Sequence, residues 1–320
     1  MMLKDKVALV TGGTSGIGRA TAIAYAQQQA KVVVVGRRMD EGEETVRLIK
    51  EAGGEAIFVQ ADVTKEADVE AMVDKAVGVF GRLDTAFNNA GTFGENPSLI
   101  EQTEAEYNRI MNVNVKGVWL SMKYEIAQML KQGSGSIVNM ASAVGVVALP
   151  NILLYTASKH AVVGLTKAAA LQYAKAGIRI NGVAPGSIQT DMFEAATDEA
   201  KAYLAGLHPI GRVGTPLEVA NAVLFLSSDM ASFVTGETLM VDGGYVAQYS
   251  KGSAKYCDQV AIDIGMNPVD SDFAAEQTKM TALGRYGQGD EVAGMVSYLA
   301  SSEAAFVTGA SLKIDGGYTA

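Results

Sequence analysis

The sequence predicts an α/β protein in which helices cover both faces of a doubly wound parallel sheet. Short apolar runs alternate with helical patterns through most of the chain, and this alternation is typical of strand–helix–strand units with parallel strands. The crossovers in such units are right-handed, which places helices on both faces of the sheet. A glycine-rich turn between the first strand and the first helix is a further mark of an open sheet of this class.

The composition limits what the chain can be. It has 320 residues, of which 48% are hydrophobic, and this is enough for a sizeable core. The formal net charge of −9 argues against binding a nucleic-acid backbone. A single cysteine excludes an internal disulfide, and with two histidines we expect no metal site. Residues 1–10 have the pattern of neither a secretory signal nor a membrane span, so we expect a cytoplasmic protein without a membrane partner.

The first strand–helix unit carries a candidate phosphate-binding turn. Lys6–Val10 is predicted as a strand, Thr11–Gly18 forms the turn, and a helical pattern continues to Ala30. Glycines allow the backbone to approach a pyrophosphate, and the helix N-terminus supplies N–H donors and positive potential. The spacing differs from the common G-x-G-x-x-G pattern, and an ordinary tight turn is the alternative interpretation.

The second strand, Lys31–Val35, is followed by Gly36, Arg37 and Arg38. The residue just beyond this strand meets the adenosine ribose in dinucleotide-binding sheets, where an acidic side chain suits the 2′-hydroxyl and an arginine suits a 2′-phosphate. Arg37 therefore favours NADP over NAD, although NAD is not excluded. A solvated surface arginine is the alternative.

The following elements continue the alternation as far as Gly186. Parallel strands present their carboxyl ends at one edge of the sheet, and ligands bind there. The predicted elements, with the polar residues that follow the strands, are a helix Glu41–Ala52, a strand Ala56–Gln60 followed by Asp62 and Val63, a helix Lys65–Phe80, a strand Leu83–Phe87 followed by 88–91, one long helix over 103–131, a strand that ends before Ser142, a helix with Tyr155 and Lys159, and a strand Arg179–Val183 that leads to Pro185 and Gly186.

Ser142, Tyr155 and Lys159 form a candidate proton-transfer group. Tyr155 and Lys159 are four residues apart, so both leave the same face of a helix. A phenol with a reference pKa of about 10 is a poor acid at neutral pH, but a neighbouring ammonium favours its ionised form. A serine hydroxyl can hold a substrate oxygen. A surface helix can carry the Tyr-x-x-x-Lys spacing by chance, so this pair gains meaning only with the other motifs.

Taken together, residues 1–248 resemble the single-domain branch of the short-chain dehydrogenase/reductase family. The motifs that carry the resemblance are Thr11–Gly18, Asp62, Asn88–Gly91, Asn114, Ser142, Tyr155 with Lys159, Pro185-Gly186 with Thr190, and Asp242–Gly244.

The resemblance implies a Rossmann-like fold, a nicotinamide cofactor and a homotetramer or homodimer. It also implies that Tyr155 is the general acid in reduction and the base in oxidation. Lys159 would lower the pKa of Tyr155, Ser142 would bind the substrate oxygen, and Asn114 would hold a water. The implied cofactor contacts are Gly12, Thr14, Ser15, Gly16, Ile17, Gly18, Arg37, Asp62, Val63, Asn89, Ala90, Gly91, Tyr155, Lys159, Pro185, Gly186, Ile188 and Thr190.

Three loops at the same edge of the sheet, residues 92–99, 144–153 and 191–208, are expected to form the substrate pocket. In these three loops, no arginine or lysine except Lys201 offers an obvious clamp for a substrate carboxylate. We therefore expect a neutral ketone or secondary alcohol as substrate. Packing of a lid is the alternative role for the apolar side chains in these loops. The predicted substrate contacts are Val144, Leu149, Leu153, Met192 and Phe193.

The end of the domain occurs twice. Residues 210–247 and 283–320, which are 73 positions apart, share 20 identical residues in 38. We therefore predict a catalytic domain over 1–248 and, over 249–320, a partial repeat of residues 191–247 that is not a second enzyme. Both copies cannot fill one edge of one sheet. We expect the first copy to complete the sheet and the tail to pack elsewhere, with another subunit as one candidate surface. Exchange between subunits and a tail without function are the alternatives.

Three functions remain open at this stage. The leading prediction is an NAD(P)-dependent oxidoreductase with a small-molecule carbonyl or alcohol substrate. The alternative from another class is a nucleotide-binding scaffold whose tail serves assembly or partner binding, and its mark would be cofactor binding without turnover. Epimerisation or dehydration on the same fold is a third, less favoured by the single-domain length.

Overall fold

Among the described residues, seven strands form one parallel sheet. The computed structural model describes residues 1–94, 97–194, 196–247, 282–283, 285, 287–308, 310 and 312–315. The strand order is β3-β2-β1-β4-β5-β6-β7, which confirms the predicted doubly wound α/β architecture. The strands are β1 (Val7–Thr11), β2 (Lys31–Gly36), β3 (Glu55–Gln60), β4 (Thr85–Asn88), β5 (Gly135–Met140), β6 (Ile178–Pro185) and β7 (Thr238–Val241).

Helices cover both faces of the sheet, so strands such as β1 are buried along their whole length. The helices are α1 (Gly16–Gln27), α2 (Met39–Glu51), α3 (Glu66–Phe80), α4 (Glu104–Met111), α5 (Gly117–Gln132), α6 (Leu153–Tyr173), α7 (Asp191–Glu194), α8 (Asp198–Gly206), α9 (Pro216–Ser227) and α10 (Gly289–Leu299). One apolar core lies beneath α1, α2 and α9, and the other beneath α3, α5 and α6. In the described ranges, no helix combines the length and apolar character needed to cross a membrane.

The predicted long helix over 103–131 is interrupted. A π-helical turn, Asn112–Lys116, separates α4 from α5. The apolar period on either side is helical, so periodicity could not reveal the extra residue in the turn. Asn114 lies in this turn, and the interruption therefore bears on the site.

The first copy of the repeated segment completes the sheet. β7 pairs with β6 from Gly182↔Thr238 to Pro185↔Val241. Helix α9 begins at a capping box, because Thr215 Oγ1 accepts a hydrogen bond from the Glu218 N–H (3.3 Å) and Glu218 Oε2 accepts one from the Thr215 N–H (2.7 Å).

The second copy contributes helix α10 and a turn at Ser302–Ala304. Glu291 accepts a hydrogen bond from the Gln288 N–H (2.6 Å), so this helix has a cap of its own. The described residues 312–315, which correspond to the end of β7, are not in a strand. The repeat therefore reproduces the helix in this region but not the strand.

A buried carboxyl lies between α5 and the sheet. Glu125 has 0% exposure, and its Oε2 accepts a hydrogen bond from Asn88 Nδ2 (2.9 Å). Burial raises the pKa of Glu125 to about 8, and the hydrogen bond from Asn88 offsets only part of this rise. Neutral Glu125 is thus the form that the fold accommodates.

We expect Glu125→Gln to stabilise the fold at pH 9 and to have little stabilising effect near pH 5. The native state holds a proton that the unfolded chain releases above its ordinary pKa of 4.5, so wild-type stability falls as the pH rises towards 8. The glutamine side chain cannot ionise, and its amide oxygen can still accept from Asn88. The gain at pH 9 should be a few kcal/mol. Denaturant unfolding at several pH values measures it, with the exposed Glu70→Gln as control; a pH-independent difference would contradict the prediction.

Candidate active site

A cavity of about 850 Å³ opens at the carboxyl ends of the central strands. Apart from Gly18, every residue predicted to contact the cofactor lines it, and so do three of the four predicted catalytic residues. In chain order these are Gly12, Thr14, Ser15, Gly16, Ile17, Arg37, Asp62, Val63, Asn89, Ala90, Gly91, Ser142, Tyr155, Lys159, Pro185, Gly186, Ile188 and Thr190.

The glycine-rich turn after β1 forms one wall. Gly12 and Gly16 have φ of 65° and 51°, which favours glycine at both positions. The Asn89 amide donates to the Thr11 carbonyl (3.0 Å) and the Gly12 carbonyl (3.2 Å), fixing the turn to the end of β4. Helix α1 then begins without a side-chain cap from Ser15. Its first N–H groups can therefore bind a phosphate.

Gly18 acts differently from its neighbours. It does not line the cavity, and a Cβ at this position would lie 2.1 Å from the Gly12 carbonyl oxygen. A direct cofactor contact of Gly18 stays a prediction. The third glycine permits close packing between helix and turn, and it shapes the wall indirectly.

Two arginines stand at the end of β2. Arg37 and Arg38 both line the cavity, and Arg38 Nη2 donates to Thr14 Oγ1 (2.9 Å) and Ser15 Oγ (2.8 Å). Burial raises the pKa of Asp62, but hydrogen bonds from Thr64 and the Arg37 charge outweigh it and hold that pKa below its ordinary value. Asp62 is therefore an ionised acceptor facing this part of the cavity. The arginines leave the neighbouring wall positively charged.

Ser142, Tyr155 and Lys159 meet at the opposite wall. Ser142 follows β5, whereas Tyr155 and Lys159 lie one turn apart on α6. The Ser142 hydroxyl lies close enough to the Tyr155 hydroxyl to favour its ionised form. Lys159 Nζ lies 5.5 Å from the centroid of the Tyr155 ring and donates to the Met140 carbonyl (2.8 Å). Two hydroxyls, of Ser142 and Tyr155, therefore lie near the buried ammonium group of Lys159.

Burial shifts the pKa values of this group in opposite directions. It raises the pKa of Tyr155 to about 12, with the Ser142 hydrogen bond opposing the rise. It lowers the pKa of Lys159 to about 8. The predicted lowering of the Tyr155 pKa is therefore opposed by burial in the cofactor-free protein. At neutral pH, Tyr155 is protonated and Lys159 is mostly charged.

Asn114 is fully buried and does not line the cavity. Its Nδ2 donates to the Thr92 carbonyl (2.9 Å) and Ser158 Oγ (3.0 Å), and its Oδ1 accepts from the Thr92 N–H (2.8 Å). Ser158 in turn donates to the Tyr155 carbonyl (2.7 Å). Asn114 thus connects a cavity wall to the helix of Tyr155. Since both amide hydrogens are engaged, the predicted water would have to bind an oxygen of Asn114.

None of the five predicted substrate contacts lines the cavity. Val144 is buried behind it, and Leu153 is 43% exposed to solvent. Leu149 and Phe193 are partly exposed, and the Met192 side chain lies outside the described residues. The sequence predicted which loops form the pocket, but apolar character alone did not identify which of their side chains face the cavity.

The structure adds several lining residues that sequence reasoning missed. The most informative is Phe93, whose ring centroid lies 4.7 Å from that of Tyr155. Phe93 lies in the first predicted substrate loop, so its position in the sequence could have identified it as a lining residue. The other lining residues that were not predicted are Val35, Gly36, Arg38, Ala61, Thr92, Arg109, Val113, Met140, Ala141 and Asp191. No cluster of three or more potential metal ligands occurs among the described residues.

Comparisons with known proteins agree with this geometry. A family model described as enoyl-(acyl carrier protein) reductase matches residues 12–246 and 261–319. The chain is 47% identical over 244 residues to a cyclohexanol dehydrogenase of Acinetobacter sp. (strain SE19), a match that covers 76% of this chain and 96% of the relative. It is 44% identical over 249 residues to a 2,5-dichloro-2,5-cyclohexadiene-1,4-diol dehydrogenase of Sphingobium indicum, covering 77% of this chain and 98% of the relative.

A solved structure is similar over the same extent. The structure titled ElxO with NADP bound has a TM-score of 0.73 and 36% identity, covering 78% of this chain and 100% of that chain. These matches reach nearly the full length of the relatives while leaving more than a fifth of this chain uncovered.

Proposed function

The chain belongs to the short-chain dehydrogenase/reductase family and is an oxidoreductase that exchanges hydride between a nicotinamide cofactor and a secondary alcohol or ketone, and we propose that Tyr155 transfers the accompanying proton. This proposal rests on one observation: Ser142, Tyr155 and Lys159 line the same cavity as the glycine-rich turn. A bound nicotinamide would supply or accept the hydride.

The chain's own residues orient the substrate and handle the proton. The hydroxyls of Ser142 and Tyr155 would hold the substrate oxygen between them, because they lie close together and both line the cavity. In reduction, Tyr155 donates its proton to the carbonyl oxygen; in oxidation, it accepts the alcohol proton. The Lys159 ammonium favours the phenolate that reduction leaves behind.

We propose further that NADP is the preferred cofactor and that the substrate is a neutral ring alcohol or ketone. The cofactor proposal is supported by Arg37 and Arg38 in the cavity wall and by the NADP-bound structure of the similar protein. The substrate proposal is supported by the ring alcohols named in the two relatives and by Phe93, an apolar wall beside Tyr155.

The first experiment follows absorbance of the reduced nicotinamide with purified full-length protein. Cyclohexanol and hexan-2-ol are offered with NADP⁺ and NAD⁺ separately, and the matching ketones with the reduced cofactors. We expect turnover of the ring substrates, with NADP(H) preferred. Cofactor binding without turnover of any substrate would instead favour the scaffold function.

Arg37→Ala should raise the KM for NADPH at least about tenfold and leave the KM for NADH nearly unchanged. A charge-assisted contact with a 2′-phosphate contributes roughly 1.5–3 kcal/mol, and NADH lacks that phosphate. Initial rates at varied cofactor measure the effect. Arg47→Ala is the matched control, because Arg47 pairs with Glu44 and Glu51 on the outer face of α2. Equal loss with both cofactors would contradict the proposed role of Arg37.

A further inference from the structure

The two copies of the repeated segment lie against one another and exchange equivalent contacts. We call residues 210–247 the proximal copy and residues 283–320 the distal copy. The Arg212 guanidinium lies 5.4 Å from the ring centroid of Phe306, and the Arg285 guanidinium lies 4.8 Å from that of Phe233. The two arginines are 73 positions apart, as are the two phenylalanines. Each copy therefore places its arginine on the phenylalanine of the other.

The ion pairs and glycines around these contacts are also repeated. Arg212 pairs with Glu218 and Arg285 with Glu291, each at 2.6 Å. A Cβ on Gly214 would lie 2.5 Å from the Phe306 ring, and a Cβ on the equivalent Gly287 would lie 2.7 Å from the Phe233 ring. Both glycines thus make room for the ring of the other copy.

A third pair of contacts involves the turns after the two helices. Asn221 Nδ2 donates to the Glu303 carbonyl (3.5 Å). At the equivalent position of the distal copy, a Cβ on Gly294 would lie 2.6 Å from the Met230 carbonyl oxygen. The carbonyls of residues 230 and 303 are themselves equivalent, so each helix contacts the same turn of the other copy, by a side-chain hydrogen bond in one direction and by close backbone packing in the other.

At the centre of the contact, one residue stacks on its own counterpart in the other copy. Phe225 and Tyr298 occupy the same position in the two copies, and their rings are stacked at 4.7 Å with an interplanar angle of 8°. Residues on a two-fold axis contact their own counterparts, and pairs away from the axis are reciprocal. The contacts between the copies satisfy both conditions.

Among the described residues of the distal copy, the most deeply buried aromatic side chains lie on this contact face. Tyr298 and Phe306 are 3% and 0% exposed. By contrast, Val296 is 59% exposed, although its proximal counterpart Val223 is fully buried against the catalytic domain. The distal copy therefore reproduces the layer that touches the proximal copy, without a domain core beneath it in the described residues.

We propose that the distal copy is the second half of a two-fold interface built into the same chain. It occupies, in cis, the surface of the proximal copy by which two chains lacking the distal copy would pair. Such a surface is self-complementary, as the reciprocal contacts show, and it has an apolar centre at Phe225. The full-length chain is consequently closed to self-association through this face.

Cross-linking tests whether the contact lies within one chain. Asn221→Cys and Glu303→Cys, combined with Cys257→Ser, place two thiols at a surface contact between the copies. With a short bismaleimide we expect one linker bridging both thiols within a single chain, detected by mass spectrometry, and no such bridge in either single-cysteine control. A chain-to-chain product would show exchange between subunits and overturn the proposal.

Particle mass tests whether the covered surface is self-complementary. Phe306→Asp in the full chain places a charge in the contact and should release the distal copy, so the mass from light scattering should double. Val296→Asp is the matched control, since that side chain faces solvent, and should leave the mass unchanged. A folded Phe306→Asp protein with wild-type mass at high concentration would overturn the proposal. The cross-linking result stands even where Phe306→Asp fails to fold.

Discussion

We expect Tyr155→Phe to lower kcat by about 10³-fold while leaving the affinity for the cofactor nearly unchanged. A positioned acid or base contributes typically 10²- to 10⁴-fold to the rate. The substitution keeps the aromatic ring and therefore its 4.7 Å contact with Phe93. It removes only the hydroxyl, which lies beside Ser142. The cavity walls on the cofactor side lie in other elements, so binding there should persist.

Single-turnover rates and cofactor titrations by fluorescence separate the two effects. Tyr173→Phe is the matched control: this tyrosine ends the same helix α6 but packs against the core, outside the cavity. A Tyr155→Phe enzyme that keeps more than a tenth of wild-type kcat would show that another group transfers the proton.

Most of the fold could be predicted because its signals are local. Every strand of the sheet follows from an apolar run, and the predicted boundaries lie within two residues of those in β1 to β4. The π-helical turn could not be predicted, since one inserted residue changes the hydrogen-bond pattern without changing the apolar period. The position of Asn114 behind the cavity wall depends on that turn.

The site divides in a similar way. Residues fixed by backbone motifs, such as Ser15 and Gly91, line the cavity, and their contact with a cofactor stays a prediction. Substrate-facing side chains depend on loop conformation, and hydrophobicity alone did not distinguish Phe93, which faces the cavity, from Leu153, which faces solvent. Gly18 shows a related gap: the resemblance implied a cofactor contact, whereas the structure shows close packing, since a Cβ at this position would lie 2.1 Å from the Gly12 carbonyl oxygen.

The repeat was visible in the sequence, but its contact was not. Self-similarity shows that two segments share a structure; it does not show whether they lie together. The stacking of Phe225 on Tyr298 is a long-range contact between equivalent positions, and only the folded chain reveals it.

The second large effect is expected at Lys159. We expect Lys159→Met to lower kcat/KM for alcohol oxidation by at least about 10²-fold at pH 8, because oxidation needs Tyr155 without its proton. Burial raises the pKa of Tyr155 to about 12, and the Lys159 ammonium beside the ring is the positive charge that favours its ionised form. Without that charge, the ascending limb of the pH–rate profile should move to higher pH.

Methionine keeps the unbranched apolar stem of lysine and removes only the charge and its hydrogen bond to Met140, so the shift in pH dependence isolates the electrostatic role. Lys167→Met, on the same helix but outside the cavity, is the control and should leave the profile in place. A lowered rate with an unshifted profile would mean that Lys159 positions the cofactor without tuning Tyr155. A shifted profile with unchanged cofactor affinity would mean that its buried charge acts chiefly on the phenol, which is the outcome that the 5.5 Å separation from the ring centroid favours.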